Sequence, residues 1–381
     1  MSLTQPAVRN PLVRRVLTSK TLAALTSPHG VDRYLEVVNP MWAATEVRAQ
    51  VVEVVRETHG PASEHAPVAT IRLQPTDTWR GHRAGQYVQV GVEIPGSRRT
   101  TRCFSISSAE SGRGEEFSIT VRSNEEASGE QSVSKFLVRD AQPGLVVHLS
   151  QAEGDFTLTE SPATPTNNHL LMISGGSGIT PVMSQLRTLL RDGYDGRVGR
   201  KVTFVHYATS REDQIFADEL QRIAWGDNGV DVHLRYADDV FSGPALGRLV
   251  PGFRETDTWA CGPAGLMELV HEAYEGSTRL RTEYFKLATA VGEGSGSPEG
   301  DVSFTRAETS GANTGAPLLE QAEALGLTPE FGCRMGICFS CVSTKESGTV
   351  RNVLTGEESS LPDEEIRICV SAPVGDCVVD L

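Results

Sequence analysis

Long apolar runs are missing from this chain. No stretch approaches the roughly 18 consecutive apolar residues that a membrane-crossing helix needs, so a transmembrane helix is excluded. The first residues, MSLTQPAVRNPLVRRVLTSK, lack an apolar core followed by a small-residue cleavage site, so a secretory signal is not expected. With neither feature, the expected location is the cytoplasm. Positive charge is scarce: 35 Lys and Arg stand against 49 Asp and Glu, a net −14, which argues against nucleic acid as the main partner. Cysteine is also sparse and odd in number, seven in 381 residues, which does not describe a secreted disulfide scaffold. No internal repeat or long low-complexity tract appears. At about 100–200 residues per domain, the length leaves room for two to four domains.

The texture changes along the chain. Residues 1–44 form an extension with five basic residues (Arg9, Arg14, Arg15, Lys20 and Arg33) against Asp32 and Glu36. From 45 to 162, short runs rich in Val, Ile and aromatics (VATIRLQP, GQYVQVGV, RCFSISS, EFSITVRS) are bounded by turn residues, with one helical stretch, SVSKFLVRD. Six such strands and one helix predict a closed or nearly closed antiparallel β-barrel. From 163 to 290, strand-like runs such as HLLMIS and KVTFVHYA alternate with helix-like ones such as PVMSQLRTLLRD, which predicts an α/β domain with a parallel sheet. The segment 291–300, VGEGSGSPEG, reads as a flexible linker. A small α+β unit is expected from 301 to 381.

Five of the seven cysteines lie in the last 49 residues. FGCRMGICFSC places Cys333, Cys338 and Cys341 at C-x4-C-x2-C, and Cys369 follows at a distance, which is the plant-type [2Fe–2S] spacing. Four thiolates must converge on two irons; a tight loop can supply three and a distant strand the fourth. A zinc site is the competing reading, but zinc motifs come as two C-x2-4-C knuckles and Cys369 has only Cys377 nearby. Cys377 and Cys103 are expected in hydrophobic cores.

Two further segments carry chemistry. In RCFS, Arg102 offers a fork suited to phosphate, Phe104 an aromatic face suited to an isoalloxazine or ribose, and Ser105 a hydroxyl for a flavin N5. As a bare string this describes a strand with a surface arginine better than a flavin site. It is followed by SITVR, containing Val121 and Arg122, and by a helix start at Val133 and Ser134 whose open amides suit a pyrophosphate. ISGGSGITPVMSQL reads as strand, glycine turn, helix: Gly175, Gly176 and Gly178 allow a backbone to approach an anion, Thr180 is expected to cap the helix, and Pro181 to open it. A plain strand-to-helix turn would look similar. In HYATSREDQ, Ser210 and Arg211 offer a hydroxyl and a guanidinium to a 2′-phosphate, while Glu212 and Asp213 beside them leave NADH open.

Taken together, these motifs resemble the ferredoxin–NADP reductase superfamily in the form that ends in a plant-type ferredoxin domain, over about 45–381. The resemblance implies a flavin β-barrel, an α/β nucleotide domain and a β-grasp ferredoxin domain. It implies FAD rather than FMN and a [2Fe–2S] cluster on Cys333, Cys338, Cys341 and Cys369, while Ser210 and Arg211 favour NADPH over NADH. Arg102 would hold a flavin phosphate, Phe104 would lie against the ring and Ser105 would reach N5. Gln131 stands where the family's phosphate helix usually has glycine. Thr180 would sit near flavin and nicotinamide, and the CGP turn at Cys261 and Gly262 would border the nicotinamide.

The implied function is electron transfer from nucleotide to flavin to cluster to an external one-electron acceptor protein. A non-haem di-iron desaturase or oxygenase is expected; a soluble ring-hydroxylating or epoxidising oxygenase served from NADH is the alternative, and a redox-sensing binding module the reading from another class. From 301 to 381, thirteen acidic residues stand against five basic ones, an acidic face that either steers a basic acceptor or only aids solubility. The extension at 1–44 is expected to pack on the flavin domain, with peripheral contact at the inner face of a membrane as the further expectation.

Overall fold

The computed structural model describes residues 30–58, 66–93, 100–123, 132–158, 168–193, 201–236, 239–283, 299–329, 341–353 and 356–381, with positions 17, 19, 22, 26, 331 and 336. It divides into two compact units, Met1–Glu283 and Tyr284–Leu381.

The first unit begins with α1 (Gly30–Val38) and a six-stranded antiparallel sheet: β1 (Val47–Arg56), β2 (Val68–Pro75), β3 (Tyr87–Val92), β4 (Thr100–Ser105), β5 (Phe117–Arg122) and β6 (Val146–Leu149), in the order β4-β3-β6-β1-β2-β5. The two edge strands approach each other just beyond β4, where Ile106 bridges Ile119 and Ser107 N–H donates to the Ser118 carbonyl at 2.8 Å, which brings the sheet round as a barrel. Its interior is filled from alternating positions, including Ile71, Leu73, Val88, Ile106 and Ile119, with Trp79 stacked on Phe117 at 4.7 Å between ring centroids. Helix α2 (Val133–Arg139) closes one end through Val133 and Leu137.

Helix α1 is stapled to this barrel with its polarity inverted. Buried Asp32 accepts hydrogen bonds from the backbone N–H groups of Ala44, Thr45 (2.9 Å) and Glu46 (2.8 Å) and from the Thr45 hydroxyl. Arg48, 1% exposed, reaches Glu46 at 2.7 Å, Glu36 at 3.4 Å and the Pro40 carbonyl at 2.9 Å. Tyr34, Val37 and Val38, at i, i+3 and i+4, lie on the opposite, exposed face.

The nucleotide-type lobe follows: β7 (His169–Gly175), a 3-10 turn (Gly176–Gly178), α3 (Ile179–Arg191), β8 (Lys201–Tyr207), α4 (Ala217–Trp225), β9 (Val230–Arg235), α5 (Gly243–Leu249), β10 (Asp257–Cys261), α6 (Ala264–Ala273) and β11 (Leu280–Glu283). The strands are parallel in the order β11-β10-β7-β8-β9, so the chain reverses direction across the sheet between β7 and β10. Ligands of such sheets sit beyond the carboxyl ends of the strands at that reversal. A polar seam joins this lobe to the barrel. From α3, Arg187 donates to the Ser107 carbonyl at 2.6 Å, the Ser184 hydroxyl to the Ser108 carbonyl at 2.6 Å, and Gln185 to the Phe156 carbonyl at 2.6 Å. The seam therefore fixes the chain just after Ser105 against the middle of α3.

The second unit is a mixed sheet of β12 (Asp301–Phe304), β13 (Thr309–Ala312), β14 (Val342–Asn352), β15 (Glu358–Ser359) and β17 (Ser371–Asp380), in the order β13-β12-β17-β14-β15, with β16 (Glu364–Arg367) also on β14. Helix α7 (Leu318–Ala324) buries Leu318, Leu319 and Ala322 with Val302, Phe304, Ile368 and Val379. A fully buried lysine, Lys345, donates to the carbonyls of Gly348 (3.1 Å), Ser359 (3.1 Å) and Leu361 (2.6 Å), and so gathers the acidic turn around one cation.

The architecture expected from sequence is present: an antiparallel flavin-type barrel, a parallel-sheet lobe and a C-terminal sheet domain. Some local expectations differ. Thr180 does not cap α3: Gly178 occupies the cap and the Thr180 hydroxyl donates back to the Ser177 carbonyl at 3.0 Å, because a 3-10 turn precedes the helix. Pro181 accordingly stands third in α3, not first. Cys103 is only half-buried, whereas Cys377 is a core residue at 1% exposure. Strand β11 and helix α5 were not expected. Linker positions 291–298 lie outside the described residues.

Candidate functional site

The crevice between barrel and parallel sheet collects one strand end after another. Ser105 closes β4 and is buried; its hydroxyl donates to Glu283 Oε2 at 3.4 Å. Glu283 closes β11, and register places it beside Cys261, which closes β10 and is itself beside Ser174 of β7. Ser174 pairs in turn with His206 of β8. Paired residues on adjacent parallel strands project from the same side of a sheet, so Glu283, Cys261, Ser174 and His206 form one lateral row. Burial pushes the Glu283 carboxyl up to about 8, and the Ser105 hydroxyl draws it partly back. The Cys261 thiol is pushed well up by burial and then by Glu283, so it stays protonated and is no nucleophile.

The glycine turn is packed directly on the CGP turn. A Cβ on Gly178 would overlap the Cys261 carbonyl and lie 2.6 Å from Gly262 Cα; one on Gly175 would lie 2.6 Å from Leu266 and 2.9 Å from Pro263. Gly176 adopts φ +51°, a left-handed conformation that suits glycine, and a Cβ there would face Arg122 Nη2 at 3.8 Å. These are close approaches that leave amides open at the start of α3, where the helix dipole favours an anion. Arg122 closes β5. Its Nε is buried without a partner among the described residues, and burial lowers its pKa while the Asp213 charge restores part of it. A buried guanidinium aimed at a glycine turn is what a pyrophosphate requires.

The remaining expected residues are distributed as follows. Arg102 and Phe104 are half-buried on β4; Arg102 donates to the Thr101 carbonyl at 3.1 Å, and Phe104 packs against the barrel core. Val121 and Val133 are core residues, so only their backbone is available to a ligand. Ser134 shares a 2.9 Å hydrogen bond with Ser132 at the start of α2, and Gln131 lies outside the described residues. Thr180 is buried beside the Gly176–Gly178 turn, and Gly262 is buried. Ser210 donates to Asp213 Oδ2 at 2.8 Å, and Arg211 lies 5.0 Å over the Tyr236 ring, so the guanidinium is presented at the surface while the hydroxyl is engaged by a carboxylate.

In the second unit, Cys341 and Cys369 are brought together across β14 and β16: the Ile368 N–H donates to the Cys341 carbonyl at 3.1 Å, and the two cysteines are 2% and 4% exposed. Arg367 donates to the Gly336 carbonyl in the loop between Cys333 and Cys338. Those two cysteines lie outside the described residues.

Comparison with known proteins agrees. Residues 172–272 match the model of the oxidoreductase NAD-binding domain. The NADPH oxidoreductase of Mycobacterium tuberculosis is 34% identical over 369 residues, 95% of this chain and 91% of that protein. The chain belongs to the ferredoxin–NADP reductase superfamily, in its phthalate dioxygenase reductase-like form. The ferredoxin reductase component of 3-ketosteroid-9-alpha-monooxygenase from Mycolicibacterium smegmatis is 26% identical, covering 86% of this chain and 95% of that one. The structure of phthalate dioxygenase reductase, described as modular for electron transfer from pyridine nucleotides to [2Fe–2S], shares the fold at TM-score 0.56 and 21% identity over 88% of this chain and 97% of that one. This superfamily member is an NAD(P)H-dependent flavin and iron–sulfur oxidoreductase. The residues present fit these groups: the crevice offers a buried Arg122 Nε without a partner among the described residues and a cradle that side chains would fill, and the second unit offers two buried cysteines, Cys341 and Cys369, joined through the Ile368 backbone.

Sequence reasoning did not find Glu283, His206 or Ser174. A carboxylate closing the short run RLRTE was the available signal for Glu283.

Proposed function

We propose that the chain passes electrons from NADPH through FAD and a [2Fe–2S] cluster to a non-haem di-iron oxygenase, a membrane acyl desaturase foremost. The observation that carries the electron-transfer reading is the crevice itself, where Ser105 of the barrel meets Glu283 and Cys261 of the parallel sheet beside the Gly175–Gly178 turn. When bound, the flavin takes up a hydride as an electron pair and releases it singly, which suits a cluster that accepts one electron at a time. The protein's part is to align and to exclude water. Arg102 holds a flavin phosphate, Phe104 backs the ring, Ser105 addresses N5, and the backbone at Val121 and Val133 with Ser134 completes the flavin wall. Gly175, Gly176, Gly178, Thr180 and Arg122 receive the nucleotide pyrophosphate and nicotinamide, with Cys261 and Gly262 as the floor. Ser210 and Arg211 meet the 2′-phosphate. Cys333, Cys338, Cys341 and Cys369 ligate the irons. The functional division is 45–162 for flavin, 163–290 for nucleotide and 301–381 for the cluster.

The choice of acceptor rests on surfaces. The acidic cluster domain suits a basic docking face. The outward apolar face of α1, in an extension of net positive charge, suits an anionic membrane boundary where such an acceptor resides. A soluble oxygenase is the second reading, favoured by the monooxygenase named for the mycolicibacterial relative.

The deciding experiment is an anaerobic NADPH titration followed by visible absorption and EPR, with metal analysis. Flavin bleaching, then a rhombic reduced-cluster signal, with two irons and one flavin per chain, is expected. Protein that holds zinc, or that NADH reduces faster than NADPH, would overturn the corresponding part. Reconstitution with a desaturase and with a soluble oxygenase separates the acceptors.

A further inference from the structure

Two buried nitrogens at the crevice lack hydrogen-bond partners among the described residues: Nε of Arg122 and Nε2 of His206. Native structures rarely leave such groups unpaired, so each calls for an account. His206 is wholly buried on β8, with Nδ1 2.8 Å from the Ser174 hydroxyl on β7. Burial, then the nearby Arg122 charge, pulls its pKa down to about 3, while the Ser174 backbone acts in the other direction as a hydrogen-bond acceptor for the ring. The ring is therefore neutral; the Ser174 hydroxyl can meet Nδ1 as donor or acceptor, and as acceptor it places the ring proton on Nδ1. Nε2 is then a bare acceptor.

Arg122 presents the complementary half. Its Nε–H is a buried donor, and the same guanidinium directs Nη2 toward the Gly176 turn. Asp213 contributes charge to Arg122 without occupying Nε. The Arg122 charge acts on the His206 ring, the Nε–H is a donor where Nε2 can accept, and no described group satisfies either.

We propose that His206 is a positioning residue for Arg122: its Nε2 lone pair takes the Arg122 Nε–H across one buried water, and thereby turns the Nη edge of the guanidinium onto the Gly176 turn to meet the dinucleotide pyrophosphate. The Ser174 hydroxyl acts one step further back by fixing the tautomer. This rests on reading the crevice as the pyridine-nucleotide site. A guanidinium held from behind loses less rotamer freedom when the anion arrives, so the contribution appears in nucleotide affinity and not in the hydride step.

The test uses the flavin-loaded full chain, with NADP+ binding followed by the flavin difference spectrum and NADPH-to-ferricyanide kinetics. His206→Phe is expected to weaken binding about tenfold, the low end for one hydrogen bond involving a charged group, raising KM while kcat stays within about twofold. His206→Gln, which retains an acceptor, should recover most of the loss. In an Arg122→Gln background His206→Phe should add nothing further. Unchanged binding in His206→Phe, or an undiminished loss in that background, overturns the proposal. A reading independent of variant folding comes from 15N-histidine NMR of the wild-type protein: the Nδ1–H tautomer is expected, and an Nε2–H tautomer or an imidazolium at neutral pH overturns the proposal. Wild-type protein that binds no NADP+ would instead strike the functional reading itself.

Discussion

Replacing Glu283 by glutamine should change how stability depends on pH. An unfolded chain ionises this carboxyl near its ordinary value of 4.5, but burial raises it to about 8 in the folded protein. Between those values the folded state holds a proton that the unfolded state has released, so stability falls as pH rises through that window and levels off above about 8. At about 1.4 kcal/mol per pH unit the ceiling on the loss is about 5 kcal/mol, and water reaching the crevice lowers it. Glutamine keeps the shape and a partner for the Ser105 hydroxyl but cannot ionise. Thermal unfolding of the flavin-loaded protein, followed by circular dichroism from pH 5 to 9, should therefore fall more steeply for wild type than for Glu283→Gln. The two curves should converge toward pH 5. A constant gap between them would refute the assignment of a proton to Glu283, as would a wild-type curve that continues to diverge well above pH 8.

Other expectations are direct. Gly178→Ala should cost about 1–3 kcal/mol from overpacking against Cys261 and Gly262, and should abolish flavin reduction by NADPH in stopped-flow while leaving bound flavin in place; wild-type reduction rates would contradict the close approach. Asp32→Ala removes the acceptor for three backbone N–H groups and a hydroxyl, and should lower urea stability by about 3 kcal/mol at neutral pH. Burial alone would raise the Asp32 pKa, but the hydrogen bonds from Thr45, Ala44 and Glu46 win and hold it below the usual value. Its contribution is therefore present above the unfolded value of 3.8 and fades as pH falls through the lower folded one, so wild type and Asp32→Ala should approach each other in strong acid. Cys369→Ser should cut iron content and acceptor turnover at least tenfold, while anaerobic flavin reduction persists; intact iron content would remove Cys369 from the ligand set.

What was legible in sequence follows from how local each signal is. Alternation in VATIRLQP and the apolar centre of KVTFVHY marked β2 and β8, because strands with a buried face record it residue by residue. Helix α5 escaped notice because GPALGRL contains two glycines and makes a poor helix by propensity; the Ser242 hydroxyl, accepting from Ala245 N–H at 3.3 Å, and a proline in its first turn start it. The glycine turn, Arg122 and the CGP turn were visible because each is a short contiguous pattern. Glu283, Ser174 and His206 were not: they become neighbours only through strand register across the sheet, which no local window contains. The pairing of Asp32 with the Ala44–Glu46 backbone and of Glu36 with Arg48 of β1 is hidden for the same reason, and charged residues on a short helix would ordinarily be assigned to its wet side.

That inverted helix has a consequence for any shortened form of the protein. Removing residues 1–44 would look harmless, since every barrel strand begins at Val47 or later. Yet the cut would strip the Arg48 guanidinium of Glu36 and the Pro40 carbonyl, and free the Glu46 amide from its carboxylate clamp. A cation built to live under cover would keep Glu46 but lose its other partners and be left on a bare rim, a loss of about 1–3 kcal/mol on the scale of hydrogen bonds to charged groups. The leading segment is thus the lid on the first strand of the flavin barrel, and the barrel's tolerance of heat should end where that lid does.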